Sequence, residues 1–169
     1  MLKQIYFLLT LWVLLLAPIK SFCQLDTKHY IPPLYGREDH GTHYIVLSTP
    51  EDIPFDVTIT DGSGALITTQ TISSASSSTY TLGAGTGTEF LVTEAELNTI
   101  MTDHGLILEA EKPFFANIRV IAGPQAGSLT SKGVKASLGQ DFRTGHLFNN
   151  TGDSWRKASV FGIMATEDN

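Results

Sequence analysis

The 169-residue chain holds a single cysteine, Cys23. One thiol excludes an internal disulfide and any zinc site built on several cysteines. Positive charge is scarce as well: 11 Lys and Arg stand against 17 Asp and Glu, for a net charge of −6. Non-specific binding to nucleic acid or to an anionic membrane needs a basic footprint, and this composition does not supply one. Catalytic signatures are missing too. The glycine-rich GAGTGT at 83–88 lacks the G-x-G-x-x-G spacing and the lysine of a phosphate loop. The DGSG at 61–64 lacks the flanks of a nucleophile elbow, and no D-x-D-x-D-G calcium loop surrounds Asp52, Asp56 and Asp61. Internal repeats are absent, and the only low-complexity stretch is the brief SSASSST at 73–79, read as a loop between strands.

What is present begins with an apolar run, Ile5 to Ile19, interrupted only by Thr10 and preceded by Lys3. It has the length of a signal-peptide core and is shorter than the roughly 20 apolar residues that span a bilayer. Ser21 and Cys23 occupy the −3 and −1 positions of a cleavage before Gln24. Residues 1–23 are therefore read as a signal peptide, cut between Cys23 and Gln24, and 24–169 as a single β-rich domain. The bulky Phe22 disfavours lipid anchoring through Cys23. Cleavage leaves no cysteine and no stable membrane span. It also removes Lys3 and Lys20 and no acid, so the mature chain is more acidic still. A chain of ~150 residues buries about 70% of its unfolded surface, so packing alone can stabilise it.

Charge is unevenly placed: residues 24–111 carry 2 cations and 13 anions, and residues 112–157 carry 7 cations and 2 anions. The simplest reading is that the two parts neutralise each other across one fold.

Period-two patterns dominate the rest. In FDVTIT, Phe55, Val57 and Ile59 alternate with Asp56, Thr58 and Thr60, the mark of a half-buried strand. The DGSG turn and ALITTQTI follow, which predicts a hairpin over 54–72. HYIVLST (43–49) suits a central strand, and TYTL and TEFLV read as shorter strands. GLILEAEKPFFANIRVIAG reads as a second hairpin, broken at Lys112-Pro113, with Arg119 facing Glu109 or Glu111 across the ribbon. Further strands are expected at 127–132, 141–148 and 158–166. One short helix is predicted near 94–102, from the capping-box spacing of Thr93 and Glu96 and the register of Leu97, Ile100 and Met101. The expected fold class is all-β, mainly an antiparallel sandwich with that one helix.

Candidates for chemistry are few. REDHGTH gathers Asp39, His40 and His43, residue types that ligate metals, but the spacing matches no metalloenzyme signature and a solvated loop explains it more simply. Glu109 and Glu111 share a strand face ~7 Å apart, a separation compatible with paired acid and base carboxylates. An exposed strand face is the commoner cause of such a pair. No cofactor is expected.

Four stretches, KHYIPPLYG, ILEAEKPFFANIRVIAGPQAGSLTSKG, LGQDFRTGHLFN and SVFGIMATEDN, read together, resemble the N-terminal region of large secreted proteins of gliding bacteria. Those proteins carry a gliding-motility-associated C-terminal domain that serves type nine secretion. The same region is similar to the IgGFc-binding protein N-terminal domain. The resemblance implies an exported, extracellular or cell-surface, β-rich protein of adhesive character, and it supplies no catalytic residues. It also implies that a longer polypeptide follows. SVFGIMAT is then a strand packed on the sheet with one open edge, in a domain cut short at its C-terminal end. Without a sorting domain this polypeptide would remain periplasmic. The sequence thus favours a non-catalytic binding or structural module for an unknown surface ligand, glycan or protein. The alternative is a secreted carbohydrate-active hydrolase using Glu109 and Glu111.

Overall fold

The computed structural model describes residues 24–36, 41–122, 125–139 and 162–166. Three long antiparallel segments organise the sheet. The first runs from β3 (Thr42–Ser48) into β4 (Phe55–Asp61). The second runs from β5 (Leu66–Ile72) into β6 (Ser78–Ala84). The third is a single 17-residue strand, β8 (Leu106–Ala122). β4 pairs with β8 from Val57↔Ala110 to Asp61↔Leu106, and β3 pairs with it from Tyr44↔Arg119 to Ser48↔Phe115. β5 lies on β4 and β6 lies on β3. Two separate strands, β1 (Asp26–Ile31) and β9 (Gln125–Thr130), also pair antiparallel with successive parts of β8. A two-residue parallel pair, β2 (Leu34–Tyr35) with β7 (Leu91–Val92), stands apart.

The pattern of side chains curls this sheet. Val57 and Ile59 of β4, Leu106 and Leu108 of early β8, and Ile45 and Leu47 of β3 are all buried in one continuous core. Late β8 adds Ala116 and Ile118 to it. Strands of both halves therefore turn their apolar faces toward each other, and the result is an all-β, sandwich-like fold. Each fully buried Leu or Ile contributes ~1.5–3 kcal/mol, so this shared core is the main stabilising term.

The hairpin expected over 54–72 is present. Asp61 closes its turn: one carboxylate oxygen accepts from the N–H groups of Ser63 (2.8 Å) and Ala65 (2.9 Å) and from the Ser63 hydroxyl (2.6 Å). Gly64, at φ 87°, supplies the left-handed residue the turn needs. The predicted central strand is equally present, since β3 has partners on both edges.

Three expectations are corrected. The second hairpin does not exist, because β8 continues through Lys112-Pro113 as one strand. Pairing with β4 ends at Ala110 and pairing with β3 begins at Phe115. Pro113 therefore lies where no ladder N–H is required, and it marks a change of partners instead of a chain reversal. Arg119 accordingly lies further along the same strand as Glu109, and Glu109 pairs instead with Lys28. The helix near 94–102 is reduced to a 3-10 turn, Glu94–Glu96. Its capping interaction forms: the Glu96 carboxylate accepts from the Thr93 N–H at 2.7 Å and from the Thr93 hydroxyl at 2.8 Å. Leu97 then turns extended, Asn98 is left-handed at φ 62°, and Ile100 is 96% exposed. With Ile100 left in solvent, a longer helix gains too little burial to offset its nucleation cost. Finally, residues 162–166 of the proposed last strand form no ladder, although Gly162 and Met164 lie against Pro33 and Gly105. The expected strand at 141–148 and the start of the one at 158 lie outside the described residues. The strands β1 and β2 and a single helical turn, α1 (Val134–Ser137), were not expected.

Candidate functional site

On β4 and β8, the residues between the core positions face outward. The ladder sets Thr58 opposite Glu109, with Asp56 and Glu111 next along their strands, and β5 sets Thr71 opposite Asp56. Together with Pro54 and Phe55 these residues line an open groove of about 560 Å³. The groove is rich in oxygen: three carboxylates and two threonine hydroxyls. Two of the carboxylates already have partners. Asp56 accepts from the Thr71 hydroxyl at 2.6 Å, and Glu109 binds the Lys28 ammonium at 2.8 Å. The hydrogen bond that Lys28 donates to Glu109, with a second donated to the Tyr30 hydroxyl, raises the Lys28 pKa above its ordinary value. Lys112 lies beside Phe55, its ammonium 5.6 Å from the centre of the ring and 3.5 Å from the Ile53 carbonyl oxygen.

The two glutamates flagged for acid–base chemistry therefore do share a face. They lie in the open, however, with the Glu109 side chain 58% exposed. General-acid catalysis by a carboxylic acid relies on a desolvated pocket that keeps the proton on. The open strand face presents these hydrogen-bonding groups to solvent.

Of the metal candidates, Asp39 and His40 lie outside the described residues. His43 is on β3 with its ring fully buried, and its Nε2 lies 3.3 Å from the Gly85 carbonyl oxygen. Among the described residues no three His, Cys, Asp or Glu side chains are grouped closely enough to hold a metal ion. Cys23 of the expected cleavage also lies outside them. No helix among the described residues is long and apolar enough to cross a membrane.

A second polar cluster escaped the sequence reading. Asp26, His29 and Ser131 are buried together, at 2%, 0% and 7% exposure. His29 Nε2 is 3.0 Å from the Phe114 carbonyl oxygen, which can only accept, so Nε2 carries the proton. Nδ1 then accepts from the Ser131 hydroxyl at 2.9 Å. The ring also packs on Phe114, centroids 4.7 Å apart. Burial lowers the His29 pKa, and outweighs the Phe114 and Asp26 carbonyls and the Asp26 charge, which act the other way. Asp26 accepts from the backbone N–H groups of Thr27 and Lys135, each at 2.8 Å, and lies 3.3 Å from the Lys135 ammonium. Burial alone would raise the Asp26 pKa, but the Lys135 and Thr27 donors and the Lys135 charge prevail and lower it. Gly133, at φ 71°, packs so closely on Asp26 that a Cβ has no room.

The signal for this cluster is a broken alternation. Asp26 and His29 are three apart, yet both point inward. Between Asp26↔Phe114 and Lys28↔Glu109 the register jumps, so the period of two does not hold across Thr27. Serine, histidine and aspartate are the residues of a hydrolytic triad, but here the hydroxyl is buried and the carboxylate is committed to Thr27 and Lys135. The cluster ties α1 and the end of β9 to β1.

The chain matches no protein-family model, no curated protein and no solved structure.

Proposed function

We propose that the protein is a non-catalytic binding module of an exported, cell-surface or extracellular protein, of the kind found in gliding-motility-associated secreted proteins. The groove of Asp56, Thr58, Thr71, Glu109 and Glu111 is its ligand face. The observation that carries this reading is the openness of that face, where carboxylates and hydroxyls line a groove without a desolvated pocket. Sugar hydroxyls donate well to carboxylates and exchange hydrogen bonds with threonines. The acidic composition disfavours anionic polymers, so the ligand that fits is a neutral glycan of a surface or matrix. Export rests on the apolar leader and the resemblance of four stretches.

The test is a screen of neutral and anionic glycans and of matrix proteins against the protein and against a triple variant, Asp56→Asn, Glu109→Gln and Glu111→Gln. Binding to neutral glycans that the variant loses supports the reading. Release of product from chromogenic glycosides, abolished by Glu109→Gln or Glu111→Gln, would replace it with the hydrolase reading. N-terminal sequencing of the protein expressed in its exporting host should begin at Gln24.

A further inference from the structure

We propose that His29 is a proton-operated latch that holds residues 131–137 against β1 at neutral pH and releases them on acidification. β1 and β9 are separate strands that pair with successive parts of β8, with Asp26 opposite Phe114 and Thr130 opposite Asn117. The His29–Ser131 and Asp26–Lys135 hydrogen bonds span that seam. They join segments 102 and 109 positions apart, so nothing local replaces them.

The latch depends on a neutral imidazole. Nε2–H is committed to the Phe114 carbonyl, so Nδ1 must stay unprotonated to accept from Ser131. A proton arriving from solvent at Nδ1 turns that acceptor into a donor. The Ser131 hydroxyl must then rotate its own hydrogen away, and its oxygen already faces the Gly133 N–H at 3.4 Å. The new charge lies in a buried site. From β1 it meets Asp26, whose oxygens serve Thr27 and Lys135. From α1 comes Lys135, a like charge. β8 presents only the ring and carbonyl of Phe114. The other nearby charges look elsewhere: Lys28 and Glu109 pair with each other, and Lys132 is exposed. The imidazolium therefore competes with α1 for one carboxylate, and opening to water relieves both demands.

The direction in pH follows from geometry and burial together. In the open state the imidazole titrates near its ordinary value, about 6.5. In the closed state its pKa is lower. Above about 6.5 neither state binds the proton and the latch is at full strength. Below it the open state gains, by up to about tenfold in population per pH unit, until the closed state's own pKa is reached.

Hydrogen exchange tests this at pH 7.5 and 5.0, corrected for intrinsic exchange rates. Amides of 131–138 should lose protection between pH 7.5 and pH 5.0, by at most about tenfold per pH unit below 6.5, while those of β3 keep theirs. In His29→Gln, which cannot take up the proton, the acid-induced loss should vanish. Unchanged protection of 131–138 at pH 5.0 would overturn the latch, as would an equal loss in His29→Gln. Should that variant fail to fold, titration of the His29 ring by NMR decides. A midpoint below 6.5 that coincides with the loss of protection supports the latch, and a midpoint well apart from it refutes it.

Discussion

Replacing Asp26 by Asn removes one charge and keeps the shape. The wild-type carboxylate accepts from the Thr27 N–H through one oxygen and from the Lys135 N–H through the other. Asparagine has a single acceptor oxygen, so its NH₂ group must face one of those donors. A hydrogen bond to a charged group contributes about 1.5–3 kcal/mol, and a buried donor left unpaired costs a similar amount. The Lys135 ammonium is 61% exposed, so its attraction to Asp26 is screened and adds little. The expected loss is therefore about 2 kcal/mol. For urea slopes near 2 kcal/mol per molar, that lowers the unfolding midpoint by roughly 1 M, read by far-ultraviolet circular dichroism at pH 7. The pH dependence checks the cause. The folded-state pKa of Asp26 lies below its ordinary value, about 3.9. Its stabilisation is complete above that value and is lost as pH falls through the lowered one. The gap between wild type and Asp26→Asn should accordingly close as the pH drops below about 4. A midpoint change under roughly 0.2 M at pH 7, or a gap that stays constant to pH 2.5, would refute the reasoning.

Gly133→Ala should destabilise by more than about 1 kcal/mol, since its φ is positive and Asp26 fills the space a Cβ would take. Gly127→Ala on β9 meets open space and should stay within about 0.5 kcal/mol; paired urea titrations separate the two. Leu108→Ala, at a fully buried position, should cost about 2–5 kcal/mol. Ile100→Ala should change stability by less than about 0.5 kcal/mol, despite the helical register that sequence assigned to it.

Sequence alone yields the elements whose causes are local. The 54–72 hairpin needs only alternation and the Asp61-Gly64 turn, both visible in the sequence. The outward placement of Glu109 and Glu111 follows from the same period of two. Readings fail where a distant partner decides. Lys112-Pro113 looks like a break because proline ends most ladders, but the ladders on β8 change partners at that point. Thr93 and Glu96 form their capping interaction as expected, yet no surface arrives to cover Ile100, so the helix stops. The tie of Asp26 and His29 to Ser131 and Lys135 is the least legible feature, because its halves stand at opposite ends of the described chain. A register jump beside Pro113 also hides the inward direction of Asp26.

We propose that the open carboxylate face binds a neutral glycan without cleaving it. Glycan-array binding of the protein beside its Glu109→Gln, Glu111→Gln double variant tests it most directly. Retention on neutral glycans, loss of that signal in the variant, and intact glycans recovered from the array are the expected results. Equal binding by the variant, or cleaved glycans that only the unsubstituted protein yields, would contradict it.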